Sequence, residues 1–155
     1  MIGKICDIKI CELKERPPQL LTCLTEVWEA SVRATHSFLS DEEIKHIRGY
    51  VPQALKEAEH LIAAENEENR IVAFMGITGS RLEMLFLSPE ERGRGLGRRL
   101  LQYGIRHYGV QELTVNEQNP QAAGFYRHLG FEVYKRTELD EEGGPYPLLY
   151  MRLEN

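Results

Sequence analysis

Leu85-Phe86-Leu87-Ser88-Pro89-Glu90-Glu91-Arg92-Gly93-Arg94-Gly95-Leu96-Gly97-Arg98-Arg99-Leu100-Leu101 is the stretch on which the fold turns. It opens as a buried strand, stops at Pro89, runs through three alternate glycines and enters a helix. Glycines at such a turn let backbone N–H groups approach a ligand closely, and a helix N-terminus adds partial positive charge. That combination suits an anion of the pyrophosphate kind. The charge pattern agrees: Arg92 to Arg106 holds five arginines and no acid, inside a chain of net charge −5. A solvated basic helix face behind a glycine turn would show the same letters, so the stretch alone leaves both readings open.

Spacing excludes two other glycine motifs. A P-loop requires G-x-x-x-x-G-K-[ST], and no lysine follows these glycines. A dinucleotide fingerprint requires G-x-G-x-x-G directly after the first strand, whereas here G-x-G-x-G lies past the middle of the chain.

Outward from this stretch, Arg81 to Leu87 completes the strand and Gly95 to about Tyr108 the helix. Upstream, His60 to Glu65 and Arg70 to Thr78 flank Asn66-Glu67-Glu68-Asn69 as a hairpin. Lys4 to Cys11 alternates as a half-buried strand, and Leu20, Leu21, Leu24, Val27, Trp28 and Val32 recur at helical spacing to about Ala34. Thr35 to Leu39 breaks the period as a loop. Ser40-Asp41-Glu42-Glu43 is a capping-box pattern opening a second helix, which Pro52 divides. Downstream come a strand at Glu112 to Asn116 and a helix opened by Asn119 and Pro120 that ends before Gly130. Strands at Phe131 to Thr137 and Leu148 to Leu153 follow, separated by an acidic Gly/Pro-rich loop. The order predicts one α/β domain over residues 1–155, with a mixed sheet of six or seven strands and about four helices.

Composition narrows the class further. A chain of 155 residues with 42% hydrophobic and 28% charged residues suits one globular domain that needs no staples. A pI near 5.6 argues against nucleic acid as the main partner. Cys6, Cys11 and Cys23 show no metal-ligand spacing and are expected to be buried small hydrophobes in a reducing compartment. No metal is expected. The N-terminus is too charged for a signal peptide, and no apolar run approaches the roughly 18 residues of a membrane helix, so a cytoplasmic protein without membrane association is expected.

Arg92-Gly93-Arg94-Gly95-Leu96-Gly97 resembles the [QR]-x-x-G-x-[GA] acetyl-CoA signature of the GNAT superfamily of N-acetyltransferases. Asn116-Glu117-Gln118-Asn119-Pro120-Gln121-Ala122-Ala123-Gly124-Phe125-Tyr126-Arg127-His128-Leu129-Gly130-Phe131 is similar to the other signature of that family, a strand ending in Asn followed by N-x-x-A-x-x-F-Y-x-x-x-G-F. The resemblance is clear over residues 70–153. Val27 to Leu39 and Pro145 to Leu149 are similar to a subgroup of small bacterial members whose acceptors are commonly unassigned.

The resemblance implies a sheet splayed into a V between the fourth and fifth strands, with the pantetheine arm of acetyl-CoA lying in the V. It assigns Leu85, Phe86 and Leu87 to pantetheine and the thioester carbonyl, and Arg92, Gly93, Arg94, Gly95, Leu96, Gly97 and Arg98 to the pyrophosphate. Asn119 matches a pantetheine contact while also suiting a helix cap. Tyr126 matches the general acid that protonates the departing thiolate; its spacing with Ala122, Phe125 and Leu129 equally suits a core residue. For the base there are two candidates. Glu83 shares the strand alternation of Leu85 and Leu87, and His36 sits in the loop that should roof the acceptor pocket. Trp28, His36, Phe38 and Tyr146 are the expected acceptor walls, with Tyr50 a further candidate. The expected reaction is acetyl transfer from acetyl-CoA to a primary amine, on a small molecule, peptide or protein, by a monomer or homodimer. A catalytically silent CoA-binding sensor is the alternative.

Overall fold

The computed structural model describes residues 8–153. The expected first strand, 4–11, is therefore seen only from residue 8 on, and Cys6 lies outside the described residues. Strand β1 (Lys9–Glu12) leads to α1 (Pro18–Thr35), where Pro17 in extended conformation and Pro18 in the first turn start the helix. Proline fits there because the first N–H groups have no intrahelical acceptor. Leu21, Leu24, Val27, Trp28, Ser31 and Val32 form its buried stripe. Cys23 falls off that stripe and is exposed, and Cys11 is half-buried, which corrects the expectation that these cysteines are core residues.

The capping box forms as read. Ser40 Oγ accepts from Glu43 N–H at 3.1 Å, and Glu43 Oε1 accepts from Ser40 N–H at 2.7 Å, opening α2 (Asp41–Arg48). Pro52 sits in the first turn of α3 (Val51–Glu57), so the second helical segment is indeed two helices. The chain then builds β2 (His60–Glu65), β3 (Ile71–Thr78) and β4 (Arg81–Leu87) as antiparallel neighbours. β3 starts one residue later than expected because Arg70 C=O closes the preceding turn by accepting from Asn66 N–H at 2.9 Å. After a short 3-10 turn at Pro89–Glu91 come α4 (Leu96–Tyr108), β5 (Glu112–Asn116), α5 (Pro120–His128), β6 (Phe131–Thr137) and β7 (Leu148–Leu153). The described residues thus hold seven strands and five helices.

Sheet order is β1-β2-β3-β4-β5-β7-β6, antiparallel except for the β4–β5 pair that α4 connects. Both faces of the sheet are covered. On one face Leu61 and Phe74 pack with Leu24, Trp28 and Leu55 of α1 and α3. On the other, Ile62 and Met75 pack with Leu96, Leu100 and Leu101 of α4 and with Phe131 and Met151. Neighbouring residues of one strand serve opposite layers, so β2 and β3 read as continuous apolar runs rather than alternation. Phe74 and Met75 are both fully buried, and each such side chain contributes about 1.5–3 kcal/mol.

The parallel seam is short. β4 and β5 pair only at Arg81↔Glu112 and Leu82↔Leu113, then diverge, whereas β5 and β7 pair over five positions. The register against β3 jumps from Leu82 to Met84 as β3 advances one residue, leaving Glu83 as the extra residue of a bulge. A bulge bends and twists its strand, and it stands where the seam opens. It also resets the faces: Leu82 joins the α4 layer, Met84 and Phe86 face the α1 layer, and Leu85 and Leu87 return to the α4 layer. Glu83 is therefore not on a simple alternation with Leu85 and Leu87, which corrects the sequence reading of its position.

At the β1 edge, Glu12 accepts from Tyr108 O–H at 2.8 Å and lies 2.9 Å from His60 Nδ1. Its hydrogen bond with His60 comes first in holding this carboxyl below its ordinary pKa. Among the described residues, no helix is long and apolar enough to cross a membrane.

Candidate functional site

A cleft of about 490 Å³ lies over the open end of the V, between β4, the glycine turn and α5. Gly93 and Gly95 take positive φ values of 77° and 82°, the left-handed conformation that glycine adopts without strain. This lets the chain double back into α4 with Gly95 at the N-cap and no side chain capping the helix. Its first-turn N–H groups are left for an external acceptor. The other two long-range site helices differ. α2 is closed by its capping box, and in α5 Asn119 Oδ1 accepts from Ala122 N–H at 3.3 Å.

The floor is the exposed edge of β4. Beyond Leu82 that edge has no β5 partner, so the backbone N–H and C=O groups of Leu85 and Leu87, which point away from β3, are left to the cleft, with Phe86 between them paired to β3. An extended amide-containing chain would add there as a strand does. Gly97 marks an approach of a different kind. A Cβ at this position would stand 3.4 Å from Phe125 Cζ, at van der Waals contact, so α4 and α5 meet beneath the turn.

Tyr126 on α5 lines the same cleft and also a smaller one, about 180 Å³, inside the V. It is 9% exposed, and burial pushes its phenol above the ordinary value. The group is thereby held protonated across the physiological range, the state a proton donor needs. The V cleft also contains Glu83, His36, Asn116 and Asn119.

On the far side of His36 and Phe86 a second cavity, about 580 Å³, opens between α1, α2 and the β6–β7 loop. Trp28, His36, Phe38 and Tyr146 line it, with Phe38 ring centroids 5.2 Å from His36 and 6.3 Å from Tyr146. Trp28 is 5% exposed and belongs chiefly to the α1 core layer. The cavity is lined by four carboxylates, Glu42 and Glu43 from α2 and Asp140 and Glu142 from the loop, and by no lysine or arginine. Tyr146 O–H donates to Glu43 Oε2, which ties the loop to α2. Asp140 organises its own loop, accepting from Gly144 N–H at 2.6 Å. Glu42 and Glu142 are exposed at the mouth.

Most residues singled out in the sequence converge. Leu85, Phe86, Leu87, Arg92, Gly93, Gly95, Leu96, Gly97, Arg98, Asn119 and Tyr126 all line the larger cleft, with His36 at its boundary. Arg94 does not: it is 68% exposed, outside the lining, with Nη1 3.9 Å from Glu91. Arg92 lines the cleft while donating to Gln121 Oε1 at 2.9 Å. Glu83 lies deeper in the V, its side chain 39% exposed and 3.7 Å from Arg81. Tyr50 is away from both cavities, 58% exposed and packed on His46. Sequence reading passed over Thr35, Gln121 and the acidic acceptor rim. Thr35 carried a signal, since a threonine four residues after Ser31 on a helix returns its hydroxyl to that carbonyl. The rim carried none, because α2 and residues 140–146 are joined only by the fold.

Comparison with known proteins fits this geometry. Residues 23–154 match the acetyltransferase (GNAT) domain family. The peptidyl-lysine N-acetyltransferase YjaB of Escherichia coli (strain K12) is 43% identical over 126 residues, 81% of this chain and 85% of that protein. The solution structure of apo-form YjaB from Escherichia coli superposes with a TM-score of 0.83 at 39% identity, covering 94% of this chain and 96% of that one. The PaiA N-acetyltransferase of Thermoplasma acidophilum, solved in complex with coenzyme A, shares the fold: TM-score 0.70, 22% identity, 96% of this chain and 99% of its own. A splayed seam, an uncapped helix behind a glycine turn and a family match over most of the length agree, and the chain belongs to the GNAT acetyltransferase family.

Proposed function

We propose that this acetyltransferase moves the acetyl group of acetyl-CoA to the side-chain amine of a lysine in a peptide or protein, by direct attack in a ternary complex. The observation that carries the reading is the pair of cavities meeting at His36 and Phe86, one behind the uncapped N-terminus of α4, the other rimmed with carboxylates. The first suits a pyrophosphate and pantetheine; the second suits a cation. The lysine acceptor is supported by the peptidyl-lysine N-acetyltransferase activity of the relative 43% identical to this chain.

In this reading, the first-turn N–H groups of α4 and the guanidinium of Arg98 hold the pyrophosphate, with Arg94 adding charge from outside the lining. Pantetheine lies along β4, and a backbone N–H among Leu85 to Leu87 donates to the thioester carbonyl as it becomes an oxyanion. The neutral lysine nitrogen attacks the carbonyl carbon and gives up one N–H proton to a base in the cleft, the oxyanion collapses, and the C–S bond breaks. Tyr126 O–H gives its proton to the departing sulfur and regains one from solvent. Holding both substrates in adjoining cavities replaces a bimolecular encounter with a positioned attack.

The test is isothermal titration with acetyl-CoA, followed by a thiol-release assay with lysine peptides and with free amines of similar charge. Saturable binding and thiol release with the peptides support the reading. Binding without release from any amine points to a silent CoA-binding module, and release with free polyamines alone overturns the peptide acceptor.

A further inference from the structure

His36 is one of two residues, with Phe86, that line all three cavities: the cofactor cleft, the V and the acceptor cavity. It is the first residue after α1, and its N–H is donated to Val32 O at 2.8 Å, which fixes its backbone. Its ring is fixed separately. Thr35 Oγ1 lies 2.9 Å from Ser31 O and 2.7 Å from His36 Nδ1.

A hydroxyl carries one proton. Given to Ser31 O, it leaves Oγ1 to accept at Nδ1, so the imidazole must carry its proton on Nδ1. The opposite assignment spends the hydroxyl proton on Nδ1 and leaves two oxygens 2.9 Å apart with nothing between them. Only the first makes both contacts hydrogen bonds. Nε2 then bears the lone pair, and it makes no hydrogen bond to any described residue. Burial also lowers the pKa of this ring, which keeps it neutral at pH 7. Nothing in the bond to Thr35 changes when Nε2 takes a proton, because Nδ1–H is present in both forms.

Resting on the proposed lysine acetylation, we propose that His36 is its catalytic base, and that Thr35 is a positioning residue that turns the Nε2 lone pair toward the amine. As the lysine nitrogen bonds to the thioester carbon, one N–H bond breaks and its proton moves to Nε2. The C–S electron pair leaves with sulfur, which takes the Tyr126 proton. Imidazolium then returns its proton to solvent and phenolate recovers one, so no other reactant is needed. Glu83, the other candidate, sits in the bulge beside Arg81, which gives its charge a competing partner.

The groups facing His36 set how its titration is read. They are Glu42, Glu43 and His46 of α2, Asp140, Glu142 and Tyr146 of the loop, Glu83 of β4, Tyr126 of α5, and Glu91, Arg92 and Arg98 of the glycine turn and α4. The pH profile is therefore compared between variants of His36 alone, with these groups unchanged.

Two measurements on the whole chain decide the matter. A long-range proton–nitrogen correlation spectrum of the free protein reports the tautomer: Nδ1–H is expected in the wild type and in Thr35→Ser, and mixed tautomers in Thr35→Val. Rates of thiol release from acetyl-CoA with a lysine peptide are then followed from acid to alkaline pH. His36→Gln should lower kcat about a hundredfold at pH 7 and recover toward wild type as the pH rises to about 10, where hydroxide is abundant enough to take the N–H proton in place of Nε2. Thr35→Val should lower kcat about tenfold without moving the acetyl-CoA Kd, and Thr35→Ser should restore it. An Nε2–H tautomer in the wild type, or a His36→Gln profile parallel to wild type at every pH, overturns the proposal. A hundredfold loss in Glu83→Gln that recovers at alkaline pH, with His36→Gln unaffected, transfers the base to Glu83. A wild type that acetylates no lysine peptide overturns the acceptor reading and the base with it, leaving the spectrum to judge the Thr35–His36 geometry by itself.

Discussion

The cofactor side and the acceptor side of the cleft are built in opposite ways. The cofactor side is mainly local and made largely of backbone: the edge of β4, a glycine turn and the uncapped start of a helix within residues 85–98, completed by residues of α5 and the end of α1. The acceptor side is assembled from side chains of α1, α2 and a loop about a hundred residues further along, with Glu43 and Tyr146 separated by 103 positions yet hydrogen-bonded. A backbone-built site tolerates side-chain changes and demands glycine where φ is positive. A side-chain-built site can be retuned by single substitutions, which suits the half of an enzyme that selects among acceptors.

The largest effect expected at the border between the two sides is on chemistry alone. Tyr126→Phe should reduce thiol release about 100- to 1000-fold and leave the acetyl-CoA Kd within about twofold, by single-turnover assay and calorimetry. Equal losses in rate and binding would mean that the phenol only packs. On the cofactor side, Arg98→Glu should weaken acetyl-CoA about tenfold, whereas Arg94→Glu should weaken it no more than about threefold, since a charge outside the lining acts through solvent. Equal effects would show that the turn holds its ligand by side-chain charge, not backbone.

On the acceptor side, the double change Glu42→Gln with Glu142→Gln should raise KM for a lysine peptide about fivefold and leave the acetyl-CoA Kd unchanged, with the gap closing as salt is added. A matching shift in the acetyl-CoA Kd would dissolve the distinction between the two sides. The smallest effect is a control remote from both. Glu12→Gln should lower unfolding free energy by about 1 kcal/mol at pH 7 without altering activity. Because the folded carboxyl titrates below its unfolded value, that stability is present above the unfolded pKa of about 4.5 and is lost as pH falls through the folded one. Denaturant melts at pH 7 and near pH 3 check the sign, the difference shrinking at the lower pH.

The same contrast explains what the sequence disclosed. All six strands from His60 onward, and the breaks at Pro52 and Gly95, were legible because each rests on local periodicity or on one residue of restricted geometry. The glycine turn was legible as a place where an anion sits, and Leu85 to Leu87 as its entry strand. Glu83 was misplaced because a bulge, which depends on the register with β3, has no signature in a window of β4 alone. Arg94 and Arg98 read alike as basic letters, and only the helix geometry separates the one in the lining from the one outside it. Thr35 was passed over as loop, although α1 runs through it and turns its hydroxyl toward Ser31 and His36. The acidic rim was not legible at all, since nothing in Glu42 or Glu142 points to the other.

Glu43 uses one oxygen for Ser40 N–H and the other for Tyr146 O–H. The first turn of α2 and the closure of the β6–β7 loop therefore share a single carboxylate, and loosening either weakens the hold on the other. By linkage, an acceptor that settles the loop must also steady the helix start by the same free energy. The amide proton of Ser40 thus becomes a natural reporter. Its exchange with deuterated solvent should slow when an acceptor occupies a cavity whose far wall lies a hundred residues downstream, giving a label-free gauge of occupancy that requires no turnover.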